Sequence, residues 1–317
     1  MIGFLIRRFT QSVVVVFGVT LFTFILTRIL PGGAARATLG PKASPLEIAI
    51  FNHDNGLDLP IWQQYVFYLN QLLHLNFGFS YRLNQSVLGL IHDRLPRTLV
   101  LLGISTLLAL AVAIPIGILQ AVRRNKLEDY FFTSASFVLY SMPAFWLGLV
   151  LIIFFAVDLN LFPPVGPQGD VITYLQPDQL SALVLPVAAL ALTTIALFSR
   201  YMRSSTLDNL VQDYVRTARA KGVSNVAILY RHVLRNSLIP IITLLGLSLP
   251  GIFGGALITE AVFNYPGMGL LFWDGAQTRD YPVLLGVTII VAIATVVGNF
   301  LADVGYAMAD PRVRVQA

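Results

Sequence analysis

The sequence predicts an all-α integral membrane protein: six transmembrane helices, both termini cytoplasmic, and a long external segment between the first two helices. Three observations carry this reading. Of the 317 residues, 56% are apolar and only 12% charged, about half the charged share of a soluble domain. The mean hydropathy is +0.74, and the apolar residues come in long blocks separated by short basic clusters. Six blocks reach the roughly 20 residues that a helix needs to cross a bilayer core: 9–30, 98–122, 131–157, 182–202, 237–262 and 282–306. None alternates apolar and polar residues as a barrel strand does. The same pattern excludes a soluble enzyme, a disordered chain and a nucleic-acid binder, despite an isoelectric point near 9.6. With no cysteine, a disulfide framework, an iron–sulfur cluster and thiol chemistry are excluded too.

Orientation follows from Lys and Arg, which cytoplasmic connections carry in excess. With the N-terminus inside, the inner segments hold Arg7, Arg8, Arg123, Arg124, Lys126, Arg200, Arg203, Arg216, Arg219, Lys221, Arg231, Arg235, Arg312 and Arg314. These are most of the chain's 21 basic residues. Acids run the other way, with only Glu128, Asp129, Asp208, Asp213, Asp303 and Asp310 inside. The first apolar run outlasts the roughly 7–15 residues of a secretory signal core, so it is read as an uncleaved helix.

In chain order, the external connection 31–97 holds a helix start at Pro60. Ile61, Trp62, Tyr65, Val66, Tyr68, Leu69, Leu72 and Leu73 recur there at helical spacing. That face lies on the membrane surface or packs on the bundle. A second amphipathic piece, 86–95, is predicted to stop before Pro96. Pro115, Pro143, Pro186, Pro240 and Pro250 with Gly246, Gly251, Gly254 and Gly255 kink or closely pack the helices. Ser141, Met142 and Phe145 flank the kink at Pro143 and, with Gly246 and Gly251, are the candidate path residues. Pro266-Gly267-Met268-Gly269 marks a turn in the connection 264–281.

The fourth connection, 203–236, does not read as a loose loop. Asp213 caps a short helix through Ala220, and Gly222 closes it with positive φ. Ser224 then caps a run carrying Val226, Leu229, Tyr230, Val233 and Leu234. Two short helices meeting at a glycine suit a docking element; the basic residues alone are equally explained as topology markers.

Several chemistries are missing. A P-loop needs a lysine directly after glycine, whereas the three lysines follow Pro41, Asn125 and Ala220. Gly246-Leu247-Ser248 has the spacing of a nucleophile elbow, but Pro250 replaces its closing glycine. His53, His74, His92 and His232 are too dispersed to infer a metal site. Of the ionisable groups in the apolar segments, Arg28, Asp158 and Glu260 sit near outer ends and Arg200 and Asp303 near inner ends, positions that snorkelling explains as well as function does. No proton relay stands out, so energy coupling is expected from outside the chain.

At the fourth connection Arg216-Thr217-Ala218-Arg219-Ala220-Lys221-Gly222, with Arg231-His232-Val233-Leu234-Arg235-Asn236 and Pro240, resembles the coupling loop of bacterial ABC-importer permeases of the dipeptide/oligopeptide/nickel branch. Arg216 and Thr217 stand where the general pattern has Glu and Ala. Further matches run along the chain: Leu57-Asp58-Leu59-Pro60 with Gln64-Tyr65, Asn76-Phe77-Gly78-Phe79-Ser80-Tyr81, Leu95-Pro96-Arg97-Thr98-Leu99, Pro143-Ala144-Phe145-Trp146-Leu147-Gly148, Tyr265-Pro266-Gly267-Met268-Gly269, Arg279-Asp280-Tyr281-Pro282 and Asp310-Pro311-Arg312. The resemblance implies a single permease domain over 1–317 in the bacterial inner membrane, with no catalytic residue and no cofactor. It implies pairing with a homologous second permease, two cytoplasmic ATPases and an extracytoplasmic solute-binding protein. Tyr214, Arg216, Thr217, Ala218, Ala220, Lys221 and Gly222 would then contact an ATPase. The competing reading is a stand-alone channel or ion-coupled carrier, which would transport without ATP.

Overall fold

The computed structural model describes residues 2–29, 33–40, 42–254 and 256–309; the expected inner cluster Arg312 and Arg314 lies outside them. In order come α1 (Ile2–Ile29), α2 (Gly33–Leu39), α3 (Pro45–Asp54), α4 (Ile61–Leu73), a short antiparallel hairpin of β1 (Phe79–Ser80) and β2 (Gln85–Ser86), α5 (Val87–Val122), α6 (Leu127–Ser141) and α7 (Ala144–Leu151). A π-helical stretch, Ile152–Asp158, prolongs α7, and a 3-10 turn, Val171–Leu175, precedes α8 (Pro177–Leu210). Next are α9 (Asp213–Ala220), α10 (Asn225–Ile228), a π turn Leu229–Val233, α11 (Leu234–Ser237), α12 (Ile239–Gly254), α13 (Leu257–Val262), α14 (Met268–Thr278) and α15 (Tyr281–Ala309).

Among the described residues four helices are long and apolar enough to cross a membrane: α1, α5, α8 and α15. The third predicted segment is broken more sharply than a kink. Pro143 cannot donate to the ladder and biases Met142 towards extended backbone; Met142 sits at φ −78, ψ 129. The chain turns by 106° between α6 and the α7 stretch, which make a fifth span if counted together. The predicted segment 237–262 arrives as the 16-residue α12 followed, after a break, by α13.

The expected stop before Pro96 does not occur: α5 runs through both Pro96 and Pro115. Ser86 Oγ accepts the Gly89 N–H at 3.1 Å and starts the helix. Val87, Leu90 and Ile91 then bury against Met268, Leu271, Val283 and Val287 of α14 and α15. That packing holds the turns before Pro96 in line, so the proline removes one hydrogen bond without ending the helix.

α5 and α8 lie side by side at the centre of the bundle. They approach closely at Gly117, where an added Cβ would stand 2.5 Å from the Met202 Cβ. Ala113 and Ile118 pack there on Phe198, Met202 and Ile241. Towards the ends where α5 and α8 begin, Leu101, Tyr174, Leu183, Val187 and Tyr265 form a second cluster.

Glu260 does not snorkel: it is fully buried on α13. Thr98 Oγ1 donates to Glu260 Oε1 at 2.9 Å and accepts the Met268 N–H at 2.8 Å. Glu260 Oε2 accepts the Leu270 N–H at 3.0 Å. The carboxyl thus serves the first turn of α14, whose free amides have no helical partner, and ties α14 to α5. Gly267 and Gly269 make this possible, since an added Cβ would meet the Glu260 carboxyl at 2.5 Å and the Leu257 Cα at 2.6 Å respectively. Nearby, Tyr265 Oη donates to the Arg97 carbonyl at 2.7 Å. Glu260→Ala orphans the Leu270 amide and the Thr98 hydroxyl, each at about 1–3 kcal/mol. Its thermal unfolding in detergent is expected well below wild type, and Gly269→Ala, meeting backbone, is expected to lower it as well.

Candidate functional site

The segment after α8 is built as a compact appendage. Val215, Ala218, Ile228 and Val233 are buried together, with Leu210, Tyr214, Val223 and Leu229 packed around them. The short α9 is therefore held by its apolar stripe. Gln212 occupies the N-cap position without a side-chain bond, and Asp213, expected as the cap, is the first helical residue. Its carboxylate lies 3.5 Å from Arg216 and its carbonyl accepts from Thr217 Oγ1 at 2.9 Å.

The far end of α9 is closed as expected. Gly222 takes φ +76, the left-handed conformation that costs an L-residue roughly 1–2 kcal/mol. Its N–H bonds the Arg219 carbonyl at 3.0 Å, and the Val223 N–H bonds the Ala218 carbonyl at 3.2 Å. Those two bonds make a Schellman closure, completed by the contact of Val223 with the cluster around Ala218. Ser224 Oγ then accepts the Ala227 N–H at 3.4 Å and starts α10.

Of the predicted contact residues, Arg216, Thr217, Ala220, Lys221 and Gly222 are exposed, Tyr214 is half-buried and Ala218 is buried. Tyr214 Oη donates to Asn209 Oδ1 at 2.8 Å, pinning α9 to the end of α8. Arg219 and Arg231 add exposed positive charge, while Val211, Val226 and Tyr230 add exposed apolar surface. Such a cationic and apolar face suits a protein partner with acidic groups around an apolar groove.

Reading the sequence as topology missed what ties α8 to α6 ahead of this appendage. Asp129, on the first turn of α6, receives Arg203 of α8 through Nε at 2.7 Å and Nη2 at 2.8 Å. Asp129 also accepts the Asn125 N–H at 3.0 Å. Its side chain is 4% exposed and that of Arg203 29%. Both were legible only as inner charges, because the pair is 74 residues apart in sequence. Ser237 Oγ further bonds the Ser205 carbonyl at 3.4 Å.

The candidate path residues lie on separate elements. Ser141 and Met142 share an open depression with Phe137, Val138, Pro143 and Trp146, and Phe145 is exposed on α7. Gly246 is buried on α12, which also carries Gly251 and packs chiefly on α15, whereas α6 packs chiefly on α8. Among the described residues no three His, Asp or Glu side chains converge on a metal-sized site.

Residues 113–315 match the family described as "Binding-protein-dependent transport system inner membrane component", and residues 1–102 match its N-terminal companion. The chain is 40% identical over 314 residues to the oligopeptide transport system permease protein AppB of Bacillus subtilis, covering 99% of each. It is 35% identical to the di/tripeptide transport system permease protein DppB of Pseudomonas aeruginosa over the full length of both. The dipeptide transport system permease protein DppB of Escherichia coli is 33% identical over 99% of each chain. A chain of the MetNI methionine ABC transporter, solved in inward facing conformations, shares the fold with a TM-score of 0.53 at 18% identity, over 70% of this chain and 96% of that one.

Removing Asp129 leaves Arg203, 29% exposed, without its partner and orphans the Asn125 amide, an effect of about 1–3 kcal/mol. Asp129→Ala is expected to lower the melting temperature in detergent sharply. Arg203→Lys, which loses the two-pronged geometry, should fall between it and wild type.

Proposed function

The chain belongs to the binding-protein-dependent transport system inner membrane component family, and from that premise we propose that it carries di- or oligopeptides as one half of an ATP-driven import path. As a family member it is a multi-pass permease subunit, and ATP hydrolysis belongs to partner ATPases. The peptide cargo rests on the relatives' names. In this reading the chain crosses the inner membrane six times with both termini inside, α12 and α13 supplying a span together. Residues 31–97 face outward and 203–236 face the cytoplasm. A homologous second permease completes the path, two ATPases dock from inside, and an extracytoplasmic binding protein delivers the solute.

The observation that carries the proposal is α9: a short helix pinned by Tyr214 to α8, closed at Gly222, and presenting Arg216, Thr217, Ala220 and Lys221 to solvent. Seated in an ATPase groove, it would pass ATP-driven closure to α8 and, through Arg203 and Asp129, to α6. Ser141, Met142, Phe145, Gly246 and Gly251 would lie along the path where this chain and its partner permease meet.

Gly222→Pro cannot adopt positive φ and removes the amide bonded to Arg219, a defect of about 3 kcal/mol or more. It is expected to cut ATP-dependent peptide uptake at least about tenfold while the protein still inserts at wild-type level. Gly222→Asn, which tolerates the left-handed conformation, should retain most uptake. Peptide uptake by Gly222→Pro at the wild-type rate would sink the assignment of this loop.

A further inference from the structure

At the end of the bundle where α5 and α15 begin, opposite α9, a cavity of about 400 Å³ lies between α1, α3, α4, the hairpin and α15. Arg28, Gln64, Phe67, Tyr68, Gln71 and Tyr281 are among its walls. Arg28, whose place near an outer end snorkelling and function explain equally well, is held in position. Its Nε donates to Gln64 Oε1 at 2.9 Å, its Nη1 donates to Thr27 Oγ1 at 2.8 Å, and the guanidinium sits 4.3 Å from the centre of the Phe24 ring. Gln64 is itself fixed, because its Nε2 donates to the Leu57 and Leu59 carbonyls at 2.8 and 2.7 Å. Five N–H donors belong to a guanidinium, and three of these have no acceptor among the described residues. No carboxylate among those residues reaches Arg28 either.

A half-buried, oriented guanidinium without a counter-charge calls for an anion, and a phosphate oxygen suits its geometry. The surroundings indicate where that phosphate comes from. Tyr65 and Tyr68 of α4 bond Thr20 and Thr23 of α1, each at 3.0 Å. At 1.5 Å per residue Thr20 is about 14 Å down the axis from Ile29, so α4 lies against the membrane-spanning part of α1. The stripe beside these tyrosines, Trp62, Val66 and Leu73, is 65%, 59% and 83% exposed, an apolar face at bilayer depth. We propose that the cavity holds the headgroup phosphate of an anionic phospholipid from the leaflet at that end of the bundle, with its acyl chains running along α4 and α1.

The test uses the full chain, with the subunits that copurify, in nanodiscs of phosphatidylethanolamine and phosphatidylglycerol. Native mass spectrometry after extraction counts the phosphatidylglycerol retained. The wild type is expected to keep a phosphatidylglycerol that Arg28→Gln loses about tenfold, the effect of a lost charge-assisted bond, while Arg82→Gln, at an exposed site on the same side, keeps it. If Arg28→Gln fails to accumulate, Gln71→Glu tests the same point: it preserves the acceptor for Asn76, places a negative charge on the cavity wall and is expected to expel the lipid. Equal retention in wild type and these variants overturns the proposal. So does displacement by inorganic phosphate, which makes the site one for a free anion, or by a dipeptide, which gives it to the transported solute.

Discussion

In hydrocarbon a backbone polar group without a partner is costly, and this chain interrupts its helices while giving partners to amides that the breaks expose. The break between α13 and α14 exposes the first amides of α14, and the carboxyl of Glu260 takes the Leu270 N–H while Thr98 takes that of Met268. Where α5 turns into α6, Asp129 accepts the Asn125 amide and pairs with Arg203. Between α6 and α8, Ser136 and Ser199 meet at 3.3 Å. Gln168 does the same for the loop before α8, donating to the Gly166 and Asn264 carbonyls. Small residues are the corollary, because a polar side chain reaches backbone only where no Cβ stands between them.

Much of the fold was legible because it depends on local chemistry. Pro60 before α4, Ser86 before α5, Gly222 after α9, Ser224 before α10 and the break at Pro143 each act on neighbours within a turn. What escaped depends on distant partners. Pro96 reads as a stop until Met268 and Leu271 are known to pack on the turn before it. Glu260 reads as an interfacial acid until Thr98, 162 residues away, is seen to donate to it.

Functionally the molecule is organised about α8. Its 34 residues span about 51 Å at 1.5 Å each, longer than a hydrocarbon core of about 30 Å. One end carries α9 through Asn209 and Leu210; the other packs Leu183 and Val187 on Tyr265 and Leu101. In the proposed transport cycle, movement imposed on α9 therefore reaches the opposite end through a continuous helix. Gly117, with no Cβ to spare against Met202, keeps α5 close to α8 along the way.

The bonds at the two ends of this bundle also differ in how much chain they enclose. Arg203 and Asp129 close 74 residues, whereas Thr98 with Glu260 closes 162 and Ser80 with Asp280 closes 200. Translation proceeds from the N-terminus at about 5–20 residues per second, so Arg203 is available to Asp129 seconds before Glu260 and Asp280 are made. During that interval Thr98 is already in place in a helix whose neighbour has not been made. Of these three ties the one between α8 and α6 has its partners first, that between α5 and α13 next, and that of the hairpin to Asp280 last.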